Sequence, residues 1–255
     1  MLNKDLIDKQ INDTFNKDLE NLDYKIIVLD DDPTGTQTVK DLPVYTDWTE
    51  SLLTDAFKQP NNMFYILTNS RALNALETTQ LHQELSKNIE NVSLKLNKPY
   101  LIISRGDSTL RGHFYLEPKV LNDTASKPFN AVFYLPEFFE GDRYTYKGVH
   151  YLKEDNQYIP VSESEFANDT TFGFNSKSMA DFIEEKSQGE IKSENVFHIT
   201  LDQIRNREKE EILSTFDTLS NFDAVVVDAL NDEDMDYFTA CLVEYLKSHN
   251  KRFIF

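Results

Sequence analysis

The chain has 255 residues, 40% of them hydrophobic and 12% aromatic, enough to build a packed core and too apolar for a disordered chain. Asp and Glu number 44 against 26 Lys and Arg, and the formal charge of −18 disfavours nucleic-acid partners, whose phosphates it repels. Cys241 stands alone, so no intrachain disulfide can form; no apolar leader follows Met1 and no apolar run is long enough to span a bilayer, so a cytoplasmic protein without membrane contact is expected.

Residues 1–24 space Leu6, Ile7, Ile11, Phe15, Leu19 and Leu22 at helical intervals, which predicts an amphipathic N-terminal helix that packs on the body or on a second copy in a homodimer. Next come continuous apolar runs at 25–29 (KIIVL), 63–67 (MFYIL), 100–103 (YLII), 131–135 (AVFYL) and 224–227 (AVVV). Such runs are expected of strands covered on both faces. Helical spacing appears at 77–95 and 233–248. Strands alternating with helices predict an α/β fold, a mainly parallel sheet with helices on both faces. The tyrosine-rich stretch from about 141 to 188 breaks this rhythm and predicts a small inserted β-containing region, with short strands near 148–161 and a helix near 176–187. Residues 251–255 (KRFIF) read as one more strand, cut off where the sequence stops, so the natural protein is expected to continue past Phe255.

The five runs end in Asp30, Thr68, Arg105, Glu137 and Asp228. Open parallel sheets bind ligands outside the carboxyl ends of their strands, so these residues are expected to line one cleft. Asp30, Asp31 and Asp32 repel one another and need a cation or donors nearby; with Thr34 and Gly35 they suit hydroxyl recognition or proton abstraction, or else an acidic turn with a helix cap. Arg105, Asp107, Ser108, Thr109, Arg111 and Gly112 put two guanidinium groups among hydroxyls and a carboxylate. That mixture suits an anionic, hydroxylated ligand, or else a helix start capped by Ser108 or Thr109. Asn69, Ser70 and Arg71 form a third polar cluster, which a capped helix explains equally well. Arg143, Thr145, Lys147 and His150 form a fourth, either ligand-facing or a surface hairpin. No phosphate-binding loop, dinucleotide fingerprint, paired-cysteine metal site or nucleophile elbow occurs, and His82, His198 and Asp236 read as structural or solvated.

Taken in order, these segments resemble the N-terminal domain of the four-carbon acid sugar kinase family. The family's Asp-Asp-x-Thr-Gly corresponds to Asp31, Asp32, Thr34 and Gly35, its Thr-Asn-Ser-Arg to 68–71, and its Asp-Ser-Thr-Leu-Arg-Gly to 107–112. Arg143, Thr145 and Gly148, followed by His150 and Tyr151, match a further element, as do Glu165, Phe166, Ala167 and Asp169. Pro33, the stretch 36–38 and the extra Asp142 depart from the pattern and point to a branch with its own substrate.

The resemblance implies a domain over 25–255 that binds the acid sugar, in a kinase whose C-terminal nucleotide-binding domain lies outside this chain. ATP and Mg²⁺ belong to the full-length enzyme, and none is expected on this chain alone. The implied activity is phosphoryl transfer to a hydroxyl of threonate, erythronate or a 3-oxo-tetronate. Asp31 or Asp32 would orient or deprotonate that hydroxyl. Arg111, supported by Arg105 or Arg143, would grip the carboxylate, while Asn69, Asp107 and Ser108 bond hydroxyls. Two alternatives stay open: a Mg²⁺-dependent haloacid-dehalogenase-type phosphatase built on Asp30, Asp32, Thr34, Thr68, Asp228 and Asp232, and a non-catalytic sugar-acid-binding module.

Overall fold

The computed structural model describes residues 22–34 and 40–255. Apart from 22–24, the expected N-terminal helix lies outside these residues, and so does Gly35.

The apolar runs form strands β1 (Lys25–Asp30), β3 (Met63–Leu67), β4 (Tyr100–Arg105), β5 (Ala131–Tyr134) and β10 (Asp223–Val227), joined by the short β2 (Val44–Tyr45), β9 (Phe197–Ile199) and β11 (Phe253–Ile254). All eight lie in one parallel sheet, in the order β2-β3-β1-β4-β11-β5-β10-β9. The last strand in sequence is thus central, wedged between β4 and β5, and its Phe255 carbonyl accepts the Ser104 amide at 2.6 Å.

Side chains alternate across the sheet, and each face has its own core. Val132, Tyr134 and Val226 face one side, where they meet α1 (Glu50–Lys58), α2 (Ala75–Leu96), α3 (Leu116–Thr124) and α4 (Met179–Lys186). Phe133, Val225 and Val227 face the other, against α5 (Leu201–Arg205), α6 (Lys209–Thr218) and α7 (Asp232–Ser248). This double covering is why the central strands read as unbroken apolar runs. Asn74 starts α2 with a capping box to Glu77, and Thr200 starts α5 with one to Gln203, each satisfying backbone groups that a helix end leaves open.

The expected insertion is a three-stranded antiparallel sheet, β6 (Arg143–Tyr146), β7 (Val149–Glu154) and β8 (Gln157–Pro160). It begins five residues earlier than the expected strands near 148–161, because Arg143 to Tyr146 pair with β7 across a tight turn. Thr145 forms a bridge with Ala229, just past β10, and Asp228 accepts the amides of Lys147 and Gly148, each at 2.9 Å. The small sheet is thereby fastened over the carboxyl edge of the large one. No helix among the described residues is long and apolar enough to cross a membrane.

Candidate functional site

Because the eight strands are parallel, their carboxyl ends share one edge. There, three arginines form four ion pairs, three of them joining the ends of β1, β3 and β4. Arg71 holds Asp31 through two nitrogens, Nε to Oδ2 at 2.8 Å and Nη2 to Oδ1 at 2.6 Å, and reaches Asp32 with Nη1 at 3.2 Å. Arg105 donates to Asp30 at 3.0 Å, and Arg111 Nε donates to Asp107 at 2.6 Å. The three clustered aspartates therefore have their cations, supplied by the next two strand ends.

The aspartates differ in what they can do. Asp31 is 2% exposed, and burial pushes its carboxyl up to about 6 against the pull of Arg71. Burial also raises Asp30, which is 1% exposed and faces Arg105. Asp32 instead has a partly open side chain and accepts the Thr34 hydroxyl at 2.6 Å and its amide at 2.8 Å; these bonds hold it below the usual carboxylate range. Of the three, Asp32 is the carboxylate kept ionised and open to a ligand.

The loop after β4 starts no helix. Residues 106–115 run irregularly into α3, whose first residue is Leu116, so neither Ser108 nor Thr109 is a cap. Leu110 is buried at φ 66°, a conformation costly for a branched side chain, and its amide closes a turn on the Asp107 carbonyl at 2.9 Å. Gly112 sits at φ 128°, where a Cβ would come within 3.1 Å of Asp31 Oδ2. The loop can lie against that carboxylate because position 112 has no side chain. Similarly, the turn after β3 carries Asn69 at φ 52° and a short helical turn over Ser70–Ala72; the cap of α2 is Asn74, not this cluster.

Arg143, on β6, differs from the other cleft arginines. Its Nη1 donates to the Gly141 carbonyl at 2.5 Å, its Nε is buried without a partner, and among the described residues no carboxylate pairs with it. The guanidinium carbons of Arg111 and Arg143 lie 4.8 and 5.9 Å from the centroid of the Phe166 ring. Among the described residues Arg111 bonds Asp107 and Thr109 through Nε and nothing through its terminal fork. Two guanidinium groups around one aromatic ring, one of them with no counter-ion among the described residues, have the chemistry to take an anion.

Several expected ligand contacts are bracing groups instead. Ser70, Thr109, Thr145 and His150 are buried. The Thr145 hydroxyl is 3.0 Å from His150 Nδ1, and His150 Nε2 donates to the Ser108 carbonyl at 2.8 Å, which ties the small sheet to the β4 loop. Burial pushes His150 down to about 4, so it is a neutral brace. Ser108 contributes that carbonyl, while Asn69 is exposed beside the cleft. Glu137 and Asp228 lie farther along the edge, under the small sheet. Both Glu137 carboxyl oxygens are buried without a partner, and burial pushes the group up to about 8. Asp228 is filled by three amides and by His198 Nε2 at 2.9 Å. Phe166, part of a matched segment but not named as a site residue, and Glu117 behind the cleft carry no periodic or charge signal of their own.

The family model of the sugar-binding N-terminal domain matches residues 26–255. A comparison with curated proteins finds no match. Among solved structures, a DUF1537 protein from Bordetella bronchiseptica, crystallised with bound citrate as a domain-swapped dimer, superposes with a TM-score of 0.64 at 19% identity; the match covers 91% of this chain and 52% of that one. A second crystal form of it gives a TM-score of 0.62 at 18% identity, with 91% and 53% covered. A DUF1537-family protein from Haemophilus influenzae gives 0.57 at 15% identity, with 88% and 57% covered. This chain spans about half the length of the Bordetella protein. The match over nearly the whole chain, together with the parallel sheet and its polar carboxyl edge, makes this protein a member of the sugar-binding N-terminal domain family.

Proposed function

We propose that this chain is the acid-sugar-binding half of an ATP-dependent kinase acting on a four-carbon acid sugar. The observation that carries the reading is Arg143: a guanidinium with a buried, unpartnered Nε, next to the open fork of Arg111 around Phe166. In a chain of net charge −18, a cation with no counter-ion among the described residues is where a ligand carboxylate gains most. The citrate bound by the Bordetella relative, a hydroxylated carboxylic acid, is consistent with this chemistry.

In this reading Arg143 and Arg111 take the carboxylate and Arg71 and Arg105 hold the aspartates in place. Asp32, ionised and accessible, accepts the proton of the attacking hydroxyl, while Asp31 fixes Arg71. ATP and Mg²⁺, brought by a C-terminal nucleotide-binding domain, would supply the phosphoryl group and neutralise its charge. This chain's part is to orient the acceptor hydroxyl and carry away its proton. The phosphatase alternative is disfavoured: Asp30, its nucleophile, is 1% exposed and paired with Arg105, and the Asp228 oxygens are already bonded.

Thermal stability of the chain, measured with four-carbon sugar acids and separately with MgATP, tests the assignment. An acid at 100 times its dissociation constant should add about 2.7 kcal/mol. Stabilisation by an acid and not by MgATP is expected. Stabilisation by MgATP alone would overturn the assignment of the acid-binding half to this chain.

A further inference from the structure

Behind the cleft, three buried oxygens form an unbroken chain. Glu117 Oε1 is 2.6 Å from Ser70 Oγ, Ser70 Oγ is 3.0 Å from Thr68 Oγ1, and Thr68 Oγ1 is 2.9 Å from the Asp30 carbonyl. Each hydrogen bond needs one proton. A carbonyl brings none, and the two hydroxyls bring one each, so two protons face three contacts. The Asp30 carbonyl also accepts the Thr68 amide at 2.9 Å, and the count closes over all three contacts only when Glu117 brings a proton as a neutral acid. Then Glu117 donates to Ser70, Ser70 to Thr68, and Thr68 to Asp30, and every contact is satisfied in one direction.

The surroundings agree. Glu117 is 6% exposed, and burial raises its carboxyl above the usual range. Its Oε2 is 3.4 Å from the Ser104 hydroxyl and 3.9 Å from His82 Nε2. His82 Nδ1 is 2.9 Å from the Thr78 carbonyl and so carries its proton there. Burial pushes His82 down to about 4, so it supplies no cation to an ionised Glu117. The electrostatic neighbours of Glu117 are Asp31 at the end of β1, Arg71 after β3 and His113 in the β4 loop; the last two favour its charged form, and burial outweighs them. A second negative charge here would face Asp31, already hard to ionise.

We propose that Glu117 is a positioning residue of the ligand site: as a neutral acid it heads the hydroxyl chain that fixes the two loops from which Asp31, Asp32 and Arg71 project. The inference rests on the reading of that cleft as an acid-sugar site. It places a proton at a stated atom, and it couples that proton to affinity, because losing it leaves one contact of the chain that joins α3 to the β3 and β1 ends without its hydrogen bond.

The test uses the full chain and two variants. Glu117→Gln keeps a neutral donor for Ser70, whereas Glu117→Ala removes it. Without ligand, the infrared carbonyl absorption of a neutral carboxylic acid at pH 7 should be weaker in Glu117→Gln than in wild type. With a four-carbon sugar acid, Glu117→Gln should bind within about threefold of wild type, and any weakening of wild type as pH rises should be smaller in Glu117→Gln. Glu117→Ala should bind about tenfold more weakly, the loss of one buried hydrogen bond. If wild type binds an acid but the neutral-acid band is unchanged in Glu117→Gln, or Glu117→Gln binds no better than Glu117→Ala, the inference is overturned while the acid-site reading stands. If wild type binds no acid at all, the reading of the cleft fails, and the positioning role falls with it even where the band behaves as expected.

Discussion

Glu137 shows how one residue can set a pH dependence. Its carboxyl is buried at the end of β5 with both oxygens unpartnered, and burial lifts it from an ordinary 4.5 to about 8. Between those values the folded protein holds a proton that the unfolded chain releases. The stability from this group is complete below about pH 4.5 and is lost as pH rises through about 8. Glu137→Gln removes the titration. It should leave stability at pH 5 nearly unchanged and raise it by about 2 kcal/mol at pH 8, the scale of one buried group relieved of its charge. Thermal melts across that range check it; identical pH slopes for variant and wild type would contradict it. Residue-scale pairing was also what the sequence could not show. The motifs brought Arg71, Arg105, Arg111 and Arg143 to attention together. Only the fold reveals that Asp31, Asp30 and Asp107 neutralise the first three, while Arg143 has no carboxylate partner among the described residues.

At the scale of elements, the hairpin β6–β7 is held by its turn. Asp228 accepts the amides of Lys147 and Gly148, and Gly148 takes the left-handed φ of 69° that the turn needs. Asp228→Asn would point an amide N–H₂ at one of these donors. It should cost about 2–3 kcal/mol, as for hydrogen bonds to a charged group. Hydrogen exchange at Lys147 and Gly148 should quicken; unchanged exchange would mean the turn stands without Asp228. Long elements were legible because they are periodic: Met63–Leu67 is strand over the whole predicted run, and the helix expected at 77–95 occupies Ala75–Leu96. Short ones were not. Val44–Tyr45 is a two-residue edge strand and Phe197–Ile199 a three-residue one, too brief for a pattern. Leu116–Thr124 carries Glu117 and Pro118 buried in its first turn, which hides both the helix and the acid behind the site.

For the whole molecule, what matters is where the strand ends meet. The order β3-β1-β4 brings the Asp30, Thr68 and Arg105 ends side by side, and β11 separates them from the β5 and β10 ends beneath the small sheet. The sequence predicted one cleft from five strand ends. The edge instead divides into a charged half that can meet a ligand and a half that anchors the small sheet. That sheet returns to the charged half through Arg143, and a net charge of −18 makes the open guanidinium the more distinctive. The most direct test is calorimetric titration of wild type and Arg143→Ala with the four-carbon sugar acid that most stabilises the chain. Arg143→Ala should weaken binding by about 2–3 kcal/mol while melting within a few degrees of wild type, since truncation leaves the ligand carboxylate without its partner. Equal affinity in the two proteins would remove Arg143 from the site and contradict the account.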